Sequence, residues 1–327
     1  MIEIKENVDV NIYSTLGVGG KFRYFVEIRD KNDLFQVFKF AKERNIYPLI
    51  LGGGSNTIFS DGIINVLALK INILGFEILK DEDSFMEIEI GAGEIWDKMV
   101  VKTIEMDLSG FETMSGIPGT IGATPVQNVG AYGSEAKDVI LRVNVCDIEN
   151  EEFKVLSNED CKFSYRESVF KNEAKGKYVI TSVVYRLEKN KVIIPDYPSI
   201  NLDNNANLRD VREKILAVRN NKLPNPKEIP NVGSFFKNPI IDKSLIIEGM
   251  PTYDMGQKVK VPAGWLIEHA GLKGKNFGNV SVYDKNALVL INNGNATQKD
   301  FMKAQEEIKR IVKEKFNIEL EQEPELI

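Results

Sequence analysis

The sequence has few of the side chains that most often bind metals or form cross-links. It contains one histidine, His269, and two cysteines, Cys146 and Cys161, which lack CxxC spacing. This composition argues against a disulfide framework, a thiolate metal site and a histidine-based metal centre. A Ser-His-Asp site would need His269, yet Ser234 lacks a G-x-S-x-G setting. We therefore expect reduced, half-buried thiols, no metal, and a structural or surface role for His269.

The sequence also lacks a basic excess and long apolar stretches. Its formal net charge is -6, whereas nucleic-acid binders normally carry a basic face. The apolar runs, such as IYPLILGGG, fall far short of the roughly 20 residues that a membrane helix needs. The acidic start, MIEIKENVDV, lacks the basic and apolar regions of a signal peptide. We expect a cytoplasmic protein that acts on small molecules and binds neither nucleic acid nor membrane.

Helices and strands alternate along the chain, and its length of 327 residues suggests two or three domains. Apolar residues at helical spacing from Leu34 to Ala41 predict a helix that leads into the strand IYPLIL. Further helices are predicted at IWDKMVVKTIEM, around Val211 to Val218, at VPAGWLIEHAG, and after Thr297, the expected N-cap of a long helix. Predicted strands include NVLALKI, FMEIEIGAG, VILRVNVCDI, YVITSVVYRL and ALVLIN.

The amino-acid composition of the chain changes near residue 200. The segment PDYPSINLDNNANL is rich in Pro, Asn and Asp, which favour turns over regular elements. We place a domain boundary there. The last segment, NIELEQEPELI, is predicted to form a strand that returns to an earlier sheet.

Two glycine-rich segments indicate a ligand site. LGGGSN, Leu51 to Asn56, follows a predicted strand, and its unobstructed N–H groups could approach a phosphate, although a tight turn explains it equally well. It matches neither G-x-x-x-x-G-K-[ST] nor a G-x-G-x-x-G that opens a helix. SGIPGTIGATPVQNVGAYG, Ser115 to Gly133, combines glycine and proline without the charge of an exposed linker. Together the two segments favour a dinucleotide.

Ser234, in NVGSFFKNP, stands between a glycine and two phenylalanines that are expected to be buried. Removing a hydroxyl from water costs a few kcal/mol unless it is hydrogen-bonded. Either this serine is a satisfied structural group, or its proton is used in a reaction.

Eight segments follow one another in an order that resembles the UDP-N-acetylenolpyruvoylglucosamine reductases, and the resemblance covers nearly the whole chain. They are GVGGKFRYFVE, LGGGSN, SGIPGTIGATPVQNVGAYG, YRESVFK, KLPNP, VGSFFKNP, PAGWLIEHAGLKG and LEQE. The resemblance implies an α+β FAD-binding fold of the vanillyl-alcohol-oxidase (PCMH) type, with two FAD-binding subdomains and an α+β substrate-binding domain. These subdomains would comprise residues 1–70, joined by a returning strand at 318–327, and residues 71–195. The substrate domain would comprise residues 200–317.

The family's reaction is a two-step reduction, which the resemblance implies here. NADPH gives a hydride to non-covalently bound FAD. A hydride then passes to C3 of the enolpyruvyl ether on UDP-N-acetylglucosamine, and a proton is added at C2, giving UDP-N-acetylmuramate for peptidoglycan. The expected partners are thus a UDP-sugar and NADPH, with the protein acting as a monomer.

Three catalytic residues are implied by matching motifs. Arg166 in FSYRESVF would bind the enolpyruvyl carboxylate and offset negative charge. Ser234 would donate the proton to C2. Glu323, the second glutamate of LEQE, would act as a neutral hydrogen-bond donor or through Arg166. The PEL that follows departs from the Val-Arg continuation frequent in the family.

Cofactor and substrate contacts are implied in the same way. The substrate contacts would be Tyr197, on the mobile loop of one subclass, Lys222 and Asn238 at the diphosphate, and Asn286. The cofactor contacts would be Gly52, Gly53, Gly54, Ser55, Asn56, Ser115, Gly116, Ile117, Pro118, Gly119, Ile121, Gly122, Asn128, Gly130, Ala131 and Tyr132.

Two other functions are alternatives to this interpretation. A flavin oxidase of the same fold would share LGGGSN but lack GSFFKNP. An inactive nucleotide-sugar-binding module would keep Lys222 and Asn238 but lose the reactive groups, whereas Arg166 and Ser234 are both present.

Overall fold

The computed structural model describes residues 2–195, 197, 200–203 and 205–327. Within this part of the chain the helices are α1 (Asp33–Glu43), α2 (Trp96–Glu105), α3 (Leu208–Lys222), α4 (Ala263–His269) and α5 (Gln298–Phe316). The strands are β1 (Lys5–Asp9), β2 (Lys21–Ile28), β3 (Tyr47–Leu51), β4 (Thr57–Ile58), β5 (Ile63–Ile71), β6 (Phe76–Asp81), β7 (Phe85–Gly91), β8 (Leu108–Ser109), β9 (Gly130–Ala131), β10 (Ser134–Glu135), β11 (Ile140–Asp147), β12 (Glu152–Ser157), β13 (Tyr178–Lys189), β14 (Asn231–Ser234), β15 (Ile240–Asp242), β16 (Tyr253–Met255), β17 (Lys258–Lys260), β18 (Val280–Val282), β19 (Val289–Asn292) and β20 (Glu325–Leu326).

The contacts divide the chain into two compact units. The first unit comprises the described residues of 1–8, 22–53 and 65–219, and the second comprises residues 9–21, 54–64 and 220–327. This partition is not the three-domain division predicted from the sequence, whose boundaries stay a prediction. Part of the predicted boundary segment, Asp196, Pro198, Ser199 and Asn204, lies outside the described residues, as does Met1.

The first unit is built on two sheets. One has the order β1-β2-β5-β3, with β3 and β5 parallel. The other has the order β12-β11-β13-β7-β6, with β8 also paired to β13, and its neighbouring strands are antiparallel. Helix α1 buries the predicted apolar face, including Leu34 and Phe38, in the core of this unit. The alternation of helices and strands therefore produces a mixed α+β architecture, as predicted.

The second unit contains smaller sheets and α5. The sheets have the orders β14-β19-β18 and β15-β17-β16, and β20 pairs in parallel with β4. Thr297 caps α5 as predicted, because its Oγ1 accepts from the Asp300 N–H at 3.2 Å while the Asp300 carboxylate accepts from the Thr297 N–H at 3.0 Å. Helix α5 ends at Phe316, and the following residue, Asn317, caps it with a left-handed φ of 56°. Its apolar face packs in the core of this unit.

Three expectations from the sequence have simple outcomes. His269 is exposed, with its ring stacked 3.9 Å from the Trp265 ring. Cys146 and Cys161 are free thiols but are fully buried rather than half-buried. Burial raises the pKa of Cys146 to about 11 and of Cys161 to about 12, so both remain protonated at neutral pH. None of the described helices is long and apolar enough to cross a membrane.

Candidate active site

The two predicted glycine-rich loops meet in the first unit. A side chain at Gly53 would place its Cβ 2.9 Å from Gly119 Cα, and one at Gly52 would place its Cβ 3.1 Å from the Thr120 Oγ1. Gly119 itself has a φ of 122°. Because a Cβ contact under 3 Å forces the backbone apart, only glycine at position 53 permits this approach.

Backbone donors are available where the loops meet. Among the described residues, the N–H groups of Gly53, Ile117 and Gly119 have no hydrogen-bond acceptor. All three residues are half-buried. Clustered backbone N–H groups bind anionic ligands such as phosphates. The residues present thus fit a ligand that bears a diphosphate.

The second loop is held in place by Asp97, near the start of α2. Asp97 Oδ1 accepts from the Gly116 N–H at 2.6 Å, and its two oxygens accept from the Arg212 guanidinium at 2.6 and 2.8 Å. Burial raises the pKa of Asp97, but the bonds from Arg212 and Gly116 outweigh this effect and leave the pKa below its usual value. The carboxylate is therefore ionised at neutral pH and fixes both α3 and the loop.

The rest of the second loop is anchored at several points. Ser115 is buried and donates from Oγ to the Glu112 carbonyl at 2.6 Å, while Pro118 is exposed. The Ile121 N–H donates to the Glu94 carbonyl at 2.9 Å. Gly122 packs so closely on Ala92 that an added Cβ would lie 2.7 Å from the Ala92 Cβ.

The side chain of Asn128 joins three segments through hydrogen bonds. It is buried, its Nδ2 donates to Glu135 at 2.9 Å and to the Ser164 carbonyl at 3.1 Å, and its Oδ1 accepts from the Lys137 N–H at 2.9 Å. The polar atoms of its side chain are thus engaged within the protein. Both side-chain N–H donors of Asn128 are therefore unavailable to a cofactor.

A hairpin follows Asn128, with Gly130–Ala131 in β9 paired to β10. Tyr132 and Gly133 form its two-residue turn with φ values of 51° and 90°, as expected for a type I′ turn. Burial raises the pKa of the Tyr132 hydroxyl, although its hydrogen bond with Arg219 opposes the shift. Burial also lowers the pKa of Arg219, whose Nε lies 3.3 Å from where a Gly116 Cβ would stand.

Arg166 lies in a tight turn beside this hairpin. Ser164 and Glu167 exchange two backbone hydrogen bonds of 3.1 Å across the turn, and Arg166 has a left-handed φ of 58°. Its Nη2 donates to the Gly130 carbonyl at 2.9 Å, and its guanidinium carbon lies 5.2 Å from the centre of the Tyr165 ring. The half-buried guanidinium is therefore oriented by the same segment that contains the predicted cofactor residues.

Ser234 ends β14 in the second unit and follows Gly233, which has a φ of 72°. Phe235 and Phe236 are fully buried, with their ring centres 5.3 Å apart, and anchor the turn as predicted. Ser234 is half-buried, and its hydroxyl forms no hydrogen bond with any described residue. Of the two roles considered for this hydroxyl, the satisfied structural group is therefore not supported.

Glu323 lies next to this turn in the same unit. Its N–H donates to the Phe235 carbonyl at 3.0 Å, and the Lys237 N–H donates to the Glu321 carbonyl at 2.8 Å. Glu321 is exposed and its carboxylate pairs with Lys237, whereas Glu323 is half-buried. Glu323 and Ser234 are thus both half-buried and adjoin the same turn, whereas Glu321 is exposed.

The end of the first glycine-rich loop lies beside the backbone of Glu323. Asn56 Nδ2 donates to the Glu323 carbonyl at 3.5 Å, and the Asn56 carbonyl accepts from the Glu325 N–H at 2.9 Å. Gly54 has a φ of 61°, and an added Cβ would lie 1.8 Å from the Tyr13 carbonyl oxygen. Ser55 is half-buried between them.

Two predicted substrate contacts flank the start of α4. Asn238 Oδ1 accepts from the Ala263 N–H at 2.9 Å, so its Nδ2 keeps its donors for another partner. Asn286 Oδ1 accepts from the Leu288 N–H at 3.1 Å and lies 3.9 Å from an added Cβ on Gly264. The Leu288 carbonyl in turn accepts from the Phe235 N–H at 2.8 Å. Asn238, Asn286 and Ser234 therefore belong to one cluster in the second unit.

The other two predicted substrate contacts are Lys222 and Tyr197. Lys222 is the exposed last residue of α3. Tyr197, in the first unit, is half-buried, and its ring meets the Tyr132 ring edge-on at 5.1 Å.

Sequence reasoning missed the charged side chains that support the loops. These are Asp97, Arg212 and Arg219, together with Lys70, whose Nζ donates to the Gly52 carbonyl. The acid at the start of α2 and the arginines at a spacing of seven along α3 were visible signals. Their partners lie up to 115 residues away in the sequence. The sequence therefore did not reveal which charged side chains pair with each other.

Comparison with known proteins identifies the family to which the chain belongs. The family model described as "FAD binding domain" matches residues 22–157, and the one described as "UDP-N-acetylenolpyruvoylglucosamine reductase, C-terminal domain" matches residues 225–327. UDP-N-acetylenolpyruvoylglucosamine reductase of Flavobacterium johnsoniae is 42% identical, with 100% of each chain covered. The Neisseria gonorrhoeae enzyme of the same name is 40% identical, covering 99% of this chain and 97% of its own.

A solved structure shows the fold. UDP-N-acetylenolpyruvylglucosamine reductase (MurB) from Thermus caldophilus matches with a TM-score of 0.71 at 21% identity, covering 100% of this chain and 98% of its own. The fold and the glycine-rich loops thus define an FAD-dependent oxidoreductase, which confirms the predicted fold class and cofactor. Within that class, the chain belongs to the UDP-N-acetylenolpyruvoylglucosamine reductase family.

Proposed function

We propose that this protein reduces UDP-N-acetyl-3-O-(1-carboxyvinyl)-glucosamine to UDP-N-acetylmuramate with NADPH as the reductant. The observation that carries the mechanism is the half-buried Ser234 hydroxyl, which has no hydrogen-bond partner among the described residues and lies beside Glu323. Family membership supports the substrate and the peptidoglycan product. A flavin oxidase would have no evident use for this arrangement.

The cofactor would be held mainly by backbone groups. FAD, when bound, supplies the hydride carrier between NADPH and C3 of the enolpyruvyl ether. Gly53, Ile117 and Gly119 offer N–H donors for its diphosphate. Gly54 to Asn56, Ser115, and the hairpin at Gly130 to Tyr132 complete the proposed binding segments. Pro118, Ile121, Gly122 and Asn128 shape these segments.

Arg166 binds and polarises the enolpyruvyl carboxylate in this proposal. One guanidinium nitrogen is held by the Gly130 carbonyl at 2.9 Å. That bond fixes the plane of the guanidinium, which can form paired hydrogen bonds with a carboxylate. Hydride addition at C3 places negative charge on C2 and the carboxylate, and a fixed cation stabilises that charge more than it stabilises the ground state.

Ser234 then donates its proton to C2. A serine is a weak acid, but protonation of a carbanion-like carbon is strongly downhill and requires a positioned donor rather than an acidic one. The left-handed Gly233 and the buried Phe235 and Phe236 fix the position of the hydroxyl. The hydroxyl has no competing acceptor among the described residues.

Glu323 assists at the substrate carboxylate. Two carboxylates repel each other unless one is protonated or a cation lies between them. Glu323 therefore acts either as a neutral hydrogen-bond donor or through the Arg166 cation. The hydrogen bond from its N–H to the Phe235 carbonyl supports a role in the same step as Ser234.

The UDP substrate is the proposed ligand of four polar side chains, three of which, Asn238, Lys222 and Tyr197, would contact its diphosphate. Asn238 offers the Nδ2 donors that its bond to Ala263 leaves available, and Lys222 offers an exposed ammonium. Asn286 lies 3.9 Å from an added Cβ on Gly264, the residue after Ala263, whose N–H donates to Asn238. Tyr197 contributes from the subclass loop that closes over the diphosphate. The monomeric state and the cytoplasmic location remain predictions.

Two half-reactions test the proposal. We expect the purified protein to be yellow and to release its flavin on heat denaturation, since the cofactor is not covalently attached. Under anaerobic conditions, NADPH should bleach the flavin absorbance, and the enolpyruvyl nucleotide should restore it with formation of UDP-N-acetylmuramate. Bleaching without recovery would contradict the proposed substrate, and absence of bleaching would contradict the proposed reductant.

A further inference from the structure

Lys70, on β5, is bound to the first glycine-rich loop. Its half-buried side chain donates from Nζ to the Gly52 carbonyl oxygen. In a trans peptide the carbonyl of one residue and the N–H of the next point in opposite directions, and the described residues contain no cis peptide. The hydrogen bond from Lys70 therefore also fixes the direction of the Gly53 N–H.

The Gly53 N–H is a donor without an acceptor among the described residues. Gly53 also cannot bear a side chain, because an added Cβ would lie 2.9 Å from Gly119 Cα. A glycine peptide rotates easily. Without Lys70, the peptide between Gly52 and Gly53 would lose the bond that fixes its orientation.

A lysine at this position is costly to the fold. Burial lowers the pKa of Lys70, and the Glu27 carboxylate offsets this effect only in part. Half-burial of a cation is unfavourable unless the cation gains hydrogen bonds and opposite charge. An apolar residue on β5 would avoid this cost, so the position of the cation calls for a use beyond packing. An anionic ligand at the loop would add to the opposite charge that Glu27 supplies.

We propose that Lys70 is a positioning residue for cofactor binding. It orients the Gly53 N–H so that this group can donate to a phosphate oxygen of FAD. It also adds a positive charge next to the loop. This inference rests on the proposed assignment of Gly53 to the cofactor diphosphate.

The test is FAD affinity, measured by quenching of flavin fluorescence when FAD is titrated into apoprotein. Lys70→Met should raise the Kd for FAD by about tenfold, the effect of losing one charge-assisted hydrogen bond. Lys70→Arg keeps a charged donor and should recover most of the affinity. Lys39→Met, which removes an exposed lysine of α1 in the same unit, should leave the Kd unchanged.

Thermal unfolding of each apoprotein separates this role from a purely structural one. A structural lysine predicts a lower melting temperature for Lys70→Met with an unchanged Kd in the folded protein, and that result would overturn the inference. If Lys70→Met does not fold, Lys70→Gln replaces it in the titration. A Kd of Lys70→Gln for FAD equal to that of Lys70→Arg would also overturn the inference. Wild-type protein that binds no FAD would instead refute the assignment of Gly53, and the inference with it.

Discussion

Arg166 has a left-handed backbone conformation, which costs a residue with a Cβ roughly 1–2 kcal/mol. The surrounding structure enforces it. Ser164 and Glu167 close the turn with two hydrogen bonds, and Lys171 Nζ donates to the Arg166 carbonyl at 3.2 Å. Strain of this kind clusters at functional sites, where it orients a side chain before the ligand binds.

We predict that Arg166→Lys lowers turnover by at least about a hundredfold while FAD remains bound. Lysine keeps the positive charge but cannot reproduce the planar pair of donors. Steady-state kinetics and the flavin spectrum together measure both effects. The matched control is Arg209→Lys, an exposed arginine of α3 in the same unit. Near-normal turnover of Arg166→Lys would remove this residue from the catalytic set.

Lys222 provides a second prediction at the residue scale. Lys222→Ala should raise KM for the UDP substrate by about tenfold, because one cationic contact with the diphosphate is lost. Flavin reduction by NADPH should be little changed, since it requires no UDP. Lys227→Ala, five residues further on and also exposed, is the control. Loss of FAD from the Lys222 variant would place this residue at the cofactor instead.

At the scale of elements, the approach of the two glycine-rich loops depends on the absence of one side chain. Gly53→Ala should abolish or greatly weaken FAD binding, because its Cβ would lie 2.9 Å from the Gly119 backbone and force the loops apart. Equilibrium dialysis with FAD measures the effect. Gly264→Ala introduces a Cβ at 3.6 Å from its nearest neighbour and should retain the cofactor. Tight FAD binding by Gly53→Ala would show that the loops can adjust.

The turn between β11 and β12 depends on Asp147. This buried carboxylate accepts from Lys154 at 2.7 Å, from the Asn150 side chain at 2.9 Å and from two backbone N–H groups. Burial raises its pKa, but these bonds outweigh burial and hold the pKa well below the usual value. A carboxyl with a depressed pKa stabilises the fold above its unfolded pKa of about 3.9, and this stabilisation is lost as the pH falls towards the folded pKa.

Asp147→Asn should therefore lower stability at neutral pH by roughly 1–3 kcal/mol. It should also reduce the loss of stability between about pH 5 and pH 2, because the variant no longer has this carboxyl to protonate. Melting temperatures across that pH range measure both effects. Asp83→Asn, at an exposed aspartate in the same unit, should behave like the wild type. A variant with unchanged acid sensitivity would contradict the role given to Asp147.

For the whole molecule, local sequence patterns predicted the elements whose stability is local. Leu34, Val37, Phe38 and Ala41 at helical spacing are the four buried residues of α1. Thr297 likewise caps α5 through neighbours within three positions. The strand predicted at NIELEQEPELI was longer than the observed strand β20. Only Glu325 and Leu326 form it, and the preceding Pro324 has no N–H to donate.

The supporting network of the loops could not be predicted because its partners are distant in sequence. Arg212 and Asp97 are separated by 115 positions, and Lys70 and Gly52 by 18. No periodicity encodes such pairs, since they arise only when separate elements pack. The same reason applies to Ser234, whose free hydroxyl became evident only when the bonds of the neighbouring Gly233, Phe235 and Glu323 were known.

Rapid mixing of the reduced Ser234→Ala variant with the enolpyruvyl nucleotide tests the central claim most directly. NADPH should bleach this variant as fast as the wild type, because that half-reaction requires no proton at C2. Reoxidation by the nucleotide should then be slower by orders of magnitude, and wild-type product formed in heavy water should carry solvent deuterium at C2. Rapid reoxidation of the alanine variant would contradict the claim that Ser234 donates the proton.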